Sequence, residues 1–179
     1  DIIKLLQSSW HEVRLLGLLI LVDQSKRADT KSREKLTQFY LKNLDAVNNW
    51  DLVDASAPEL LGRSLVSSKK QEVLMKLARS GQLWKERVAI VATYAFIRAN
   101  AFDPTLSLAQ HFLLHTHDLM HKAVGWMLRE VGKRDAKALR SFLDRHAHHM
   151  PRTMLRYSIE KFGERERMAY MKKKSAKTR

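Results

Sequence analysis

The sequence predicts an all-α fold, an α-solenoid built from stacked pairs of helices. Three observations lead there. Apolar residues recur at helical spacing along almost the whole chain, and no convincing alternating stretch interrupts them. Only six glycines and three prolines are spread over 179 residues, amid abundant Leu, Ala, Lys, Arg and Glu. The breaks between helical segments are short and carry stop signals: Ser8-Ser9, Gly81, Asp103-Pro104 and Met150-Pro151. With 45% hydrophobic residues, a chain of this length fits one domain and can bury a sizeable core.

In chain order, the periodicity predicts helices near 1–7, 10–23, 30–45, 50–65, 69–79, 83–100, 105–114, 117–132, 135–147, 152–162 and 164–173. The helix at 10–23 is nearly all apolar after Arg14, so neighbours are expected to cover most of its sides. In the helix at 117–132, Met120, Ala123, Val124, Met127, Leu128 and Val131 form a stripe expected to face the core. Helices of these lengths with brief connections predict repeats of HEAT type, each pair burying its face on the next. No exact sequence repeat accompanies the pattern, so a compact helical bundle stays open. We expect a repeat domain over 1–163, then a basic helix and tail over 164–179. Asp1 opens directly into a helical pattern, and the chain reads as part of something longer at its N-terminus.

The charge balance narrows the partners. Lys plus Arg number 33 against 19 Asp plus Glu, a net charge of +14, with an isoelectric point near 10.2. Such an excess implies an anionic partner. The charge is spread over many segments rather than along one basic amphipathic helix, which suits a nucleic-acid backbone better than a membrane surface. The longest uncharged apolar run, Leu15 to Val22, is far too short to span a bilayer, and no secretory signal is visible. The chain has no cysteine, which leaves no disulfide framework and no thiolate nucleophile and suits a cytosolic protein.

Several residues carry possible chemistry. Trp50 and Asp54 stand four apart and share one helix face. An indole attracts a cation through its π-face, and a carboxylate stabilises developing positive charge. The alternative is a core tryptophan beside a locally paired aspartate. Lys122, Trp126, Arg129 and Lys133 follow at spacings of four, three and four, on another face from the core stripe of their helix. That arrangement suits stacking on a nucleotide with cations on phosphates, or a half-covered tryptophan under long basic side chains. Arg87 has Ile90, Val91 and Tyr94 as helical neighbours and so needs an anion, either a phosphate or the fold's own Asp51 or Asp54. Trp84 reads as a core residue. His111/His115 and His117/His121 have the spacing at which two imidazoles reach one ion, but Asp118 points elsewhere on its helix. His11-Glu12 lacks the second histidine of a zinc-protease motif, and no phosphate loop or nucleophile elbow is present. No metal and no cofactor are expected.

Three segments together resemble the HEAT-like bacterial DNA alkylation repair glycosylases, the AlkD-type family. They are Asn49-Trp50-Asp51-Leu52-Val53-Asp54, Trp84-Lys85-Glu86-Arg87-Val88-Ala89-Ile90 and Lys122-Ala123-Val124-Gly125-Trp126-Met127-Leu128-Arg129-Glu130. The earlier segment Trp10-His11-Glu12-Val13-Arg14 fits the same pattern, and the resemblance runs to about Phe162. It implies Asp54, Trp50 and Trp126 as catalytic residues and Arg87 as the phosphate-gripping arginine; the basic row of Arg129, Lys122 and Lys133 adds further expected DNA contacts. Members of the family begin with additional helices that hold part of the DNA, and this chain starts too late to include them all.

The activity so implied is hydrolysis of the N-glycosidic bond of cationic N3- or N7-alkylated purines in duplex DNA. It would proceed on a concave basic face, without base flipping and without strand cleavage. The expected protein is a monomer with no membrane and no obligate protein partner, in the bacterial cytoplasm at the nucleoid. The alternatives are a non-enzymatic DNA-binding HEAT-repeat protein and a helical-repeat scaffold for an acidic protein partner.

Overall fold

The computed structural model describes residues 1–68 and 71–172. Among them every regular element is helical, as the periodicity predicts, and the fold class is that of an α-solenoid of helical repeats. The basic tail beyond Lys172 and the expected helix start at 69 lie outside the described residues. The chain forms two compact units, Asp1–Ala95 and Phe96–Arg179.

The first unit contains α1 (Ile2–Leu6), α2 (His11–Arg27) and α3 (Thr30–Lys42), then a 3₁₀ turn (Leu44–Ala46). It continues with α4 (Trp50–Ala57), a π-turn (Pro58–Gly62), α5 (Arg63–Val66), α6 (Glu72–Ala78) and α7 (Leu83–Ala92). Asp29 starts α3 by accepting the Ser32 N–H at 2.7 Å, a bond that also holds its carboxyl below the usual aspartate range. The expected helix over 50–65 is interrupted. Pro58 has no N–H to offer the Asp54 carbonyl and its ring crowds that turn, so the helix widens and the Arg63 N–H bonds back to Pro58. Thr37 of α3 donates to the Leu60 carbonyl of the π-turn at 2.7 Å. Gly62 lies so close to α7 that a Cβ there would stand 2.1 Å from the Ala92 carbonyl oxygen.

Three further expectations about the helices need correction. Neighbours cover only one stripe of α2 (Gly17, Leu18, Leu21, Val22 and Ser25), leaving Leu16 52% and Leu19 47% exposed. Its contacts are with α1, α3, α4 and the π-turn, which meet it along that stripe. The single helix expected over 83–100 breaks at Thr93, whose hydroxyl and N–H both bond to the Ile90 carbonyl, at 2.6 and 3.1 Å. A threonine hydroxyl competing for a carbonyl of the preceding turn is a helix perturbation with no glycine or proline to announce it. Asp103-Pro104, read as a linker, is instead the first turn of α9, where proline's missing N–H costs nothing.

After α8 (Tyr94–Arg98), the second unit contains α9 (Asp103–His111), α10 (Asp118–Arg134), α11 (Ala136–His146), α12 (Arg152–Ser158) and α13 (Glu164–Lys172). The predicted stripe of α10 is fully buried, from Met120 through Val131. α10 packs chiefly on α12, and its Gly125 makes the approach possible: a Cβ there would stand 2.5 Å from the Tyr157 Cβ and 2.6 Å from the Met154 carbonyl oxygen. Asp135 caps α11 by accepting the Ala138 N–H at 2.9 Å. Gly125→Ala should therefore cost about 1–3 kcal/mol of stability through overpacking. Gly163→Ala, where an added Cβ meets nothing within 4 Å, should be close to neutral. Urea denaturation of the two variants beside the wild type checks the contrast.

Candidate active site

α4 turns Leu52, Val53, Ser56 and Ala57 into the core, which leaves Trp50 and Asp54 together on its other side. Trp50 is 52% exposed, so it is not the core tryptophan of the alternative reading. Asp54 is half-buried and meets Arg87 of α7 in a two-pronged ion pair. Arg87 Nε donates to Oδ1 at 3.1 Å and Nη2 to Oδ2 at 2.9 Å. The Arg87 side chain is 6% exposed and the Asp54 side chain 20%. Of the three anions considered for Arg87, a phosphate, Asp51 and Asp54, the fold supplies Asp54. Asp51 instead accepts from His11 Nε2 at 2.7 Å.

Beneath α4, the Ser56 hydroxyl donates to the Leu52 carbonyl at 2.6 Å and so accepts from the Tyr40 hydroxyl at 2.9 Å. Burial, with the Asp54 charge a lesser cause, pushes the Tyr40 phenol well above its ordinary range, so it stays a neutral donor. Burial also pushes the Asp54 carboxyl above the ordinary aspartate value of 3.8, against the hydrogen bonds and charge of Arg87, which pull it down. The fold thus holds that proton more tightly than the unfolded chain does. Its contribution to stability is greatest in acid and is lost as pH rises through the folded value.

The other predicted site residues share α10. Trp126 is half-buried on the side away from the core stripe, with Lys122 and Arg129 half-buried near it in the helix and Lys133 exposed. All three cations have carboxylate partners. Lys122 pairs with Asp118 at 2.7 Å, Lys133 with Glu130 at 2.7 Å, and Arg129 with Glu160 of the turn after α12. Lys161, and after it Arg129, hold the Glu160 carboxyl below the usual range. Trp84 is half-buried rather than a core residue.

Of the histidine pairs, His115, His117 and His121 bond within the chain. His117 starts α10 by accepting the Leu119 N–H on Nδ1 at 3.2 Å, His115 Nδ1 accepts the His117 N–H at 3.0 Å, and His121 Nε2 donates to the His115 carbonyl. Among the described residues no group of three or more His, Asp or Glu side chains gathers to hold a metal ion. No helix among them is long and apolar enough to cross a membrane.

Sequence reasoning missed the polar ties around the start of α4, His11 to Asp51 and Arg14 to Asn48. The signal was present, since His11 and Arg14 stand three apart and share a face of α2. It missed Glu160 altogether, because nothing local links that residue to Arg129.

A helical chain that presents an exposed tryptophan one turn from a carboxylate–arginine pair, on a strongly basic body, fits an enzyme of nucleic acid. The family model described as DNA alkylation repair enzyme matches residues 1–162. The chain belongs to that family, the AlkD-type family that its motifs resemble, and its substrate is DNA. No curated protein matches the chain.

The Asp54–Arg87 pair makes a specific demand on stability. Asp54→Ala strands a buried guanidinium and should destabilise by about 2 kcal/mol or more, whereas Asp54→Ala combined with Arg87→Met should recover much of the loss. Thermal melts of the two single variants and the double variant read the coupling directly.

Proposed function

We propose that this repair enzyme is a monofunctional glycosylase that hydrolyses the N-glycosidic bond of cationic N3- or N7-alkylated purines in duplex DNA. The observation that carries the reading is the exposed Trp50 ring one turn from the paired Asp54 carboxylate, at the positions where the family resemblance implies catalytic residues. An alkylated purine is already cationic and leaves without a strong acid. As the bond between C1′ and the ring nitrogen breaks, its electron pair neutralises the base and positive charge builds on the deoxyribose. Water then adds to C1′ and gives up a proton to the surrounding solvent. Asp54 stabilises that charge and orients the water. Trp50 and Trp126 offer their π-faces to the sugar. Arg87 grips the adjacent phosphate, and that contact loosens its hold on Asp54 and frees the carboxylate for the reaction.

Arg129, Lys122 and Lys133 take further phosphates, and the base stays stacked. The site motifs contain no lysine placed as a Schiff-base nucleophile, which supports hydrolysis without strand cleavage. We further propose a monomer without a cofactor, working at the nucleoid in the bacterial cytoplasm.

Single-turnover release of 7-methylguanine from methylated duplex tests the chemistry. Asp54→Asn should slow it by about 10² or more. Because the reaction needs the carboxylate, the wild-type rate should fall in acid along a limb lying above 3.8, the ordinary aspartate value. Asp54→Asn should lack that limb. Equal rates for the two proteins would sink the mechanism.

Duplex affinity tests the contacts. Lys122→Ala should lower the slope of log affinity against log salt by about 0.9. Glu160→Gln, which removes a carboxylate that competes for Arg129, should instead tighten binding. Filter binding across a salt series distinguishes these outcomes from an acidic-protein scaffold, for which duplex affinity would be negligible.

A further inference from the structure

We propose that His11 and Arg14 are positioning residues for Trp50. The inference rests on the reading of Trp50 as a group that meets the deoxyribose. It assigns a role to the segment Trp10–Arg14, which that reading leaves unused.

With half its surface in solvent, the Trp50 ring takes its direction largely from the backbone at the start of α4. That backbone has apolar anchors on either side, Val47 at 1% and Leu52 at 0% exposure. Between them, residues 48–51 are exposed or half-buried, and packing alone fixes them poorly. Polar bonds supply the missing constraint. Asn49 Oδ1 accepts the Trp50 N–H at 2.8 Å. His11 Nε2 meets Asp51 Oδ2 at 2.7 Å, and since a carboxylate only accepts, that nitrogen carries the proton. Arg14 Nη2 donates to Asn48 Oδ1 at 3.0 Å.

Both clamping side chains come from the first turn of α2, which is itself anchored. Arg14 Nη1 donates to the carbonyls of Ser8 and Ser9 at 2.9 and 3.0 Å, and the Trp10 N–H donates to Ser8 Oγ at 3.1 Å. α2 therefore grips α4 on both flanks of Trp50, through Asn48 before it and Asp51 after it. Asp51 Oδ1 is buried without a hydrogen-bond partner, so the His11 bond is the one that holds this carboxylate.

The experiment measures single-turnover excision of 7-methylguanine at saturating protein, with duplex affinity and melting temperature for each variant. His11→Ala, Asp51→Ala and Asn48→Ala should each slow excision by about 10- to 100-fold, the loss expected when a reacting group is displaced by about an ångström. Duplex affinity should stay within about twofold. Asp51→Asn retains an acceptor for the Nε2 proton and should recover most of the rate. In a Trp50→Ala background, His11→Ala should add nothing.

Equal slowing by His11→Ala in both backgrounds would overturn the proposal, since His11 would then act elsewhere. A loss confined to affinity, with a lower salt slope, would overturn it too, by making the segment a phosphate contact. Should His11→Ala fail to fold, Asp51→Ala in the two backgrounds reads the same coupling. Trp50→Ala with wild-type excision would instead refute the role of Trp50 and the inference with it, whereas a slow Trp50→Ala with additive His11→Ala refutes the positioning alone.

Discussion

The ion pair between Arg87 and Asp54 is the constraint around which the first unit is built. α7 is buried along most of its length, so Arg87 can keep its charge there only if an anion meets it in good geometry. Asp54 does so with both oxygens, and the pair ties α7 to α4. Such a pair contributes little net stability, because removing two charges from water costs about as much as their attraction returns. What it supplies is orientation. The carboxylate has one direction, set by two hydrogen bonds on a helix whose other face is locked in the core. In the proposed complex, that direction keeps the carboxylate in place until a phosphate takes over the arginine.

The same logic extends to the cations of α10. A net charge of +14 suggests phosphate-binding side chains free in solvent, yet Lys122, Arg129 and Lys133 all have carboxylate partners. A phosphate arriving at any of them exchanges one anion for another, and the displaced carboxylate regains water. The local gain from such an exchange is small. In the proposed complex, long-range attraction then comes from the surplus spread over the rest of the chain, while the paired residues determine where phosphates settle. Surface pairs at three or four residues' spacing also keep long side chains extended along the helix, in the row where Trp126 stands.

Much of this was legible in the sequence. The core stripe of α10 follows from spacing alone, because a buried helix face must be apolar every three or four residues. So does the pairing of Trp50 with Asp54 on one face, and so does the need of Arg87 for an anion. The resemblance to the repair family is matched over residues 1–162. What could not be read depends on contacts distant in sequence or on single hydroxyls. The break at Thr93 comes from one side-chain bond to a carbonyl. The exposure of Leu16 and Leu19 depends on which side of α2 its neighbours take, and an apolar run does not encode that. The choice of Asp54 over Asp51 for Arg87 required knowing that His11 holds Asp51. The partner of Arg129 could not be read because Glu160 is far from it in the chain, whereas Asp118 and Glu130 stand at helical spacing from Lys122 and Lys133 and were legible but unread.

α4 is short, and neighbouring elements hold it along its length. α2 grips its start through His11 and Arg14. α7 meets its middle through Arg87, and α3 meets its underside through Tyr40. Its far end gives way to the π-turn at Pro58, secured by Thr37 and by the close approach that Gly62 allows. An eight-residue helix would be marginal alone. Here its position is over-determined by side chains from three other helices, each making a bond that α4 cannot make with itself. That division of labour leaves the exposed face of α4 free of structural duty except at Asp51 and Asp54. At Asp54, one carboxylate neutralises a buried arginine and, in the proposed complex, also meets the deoxyribose. The proposed chemistry uses that double role: a phosphate that takes over Arg87 relieves Asp54 of the first task at the moment the second is needed.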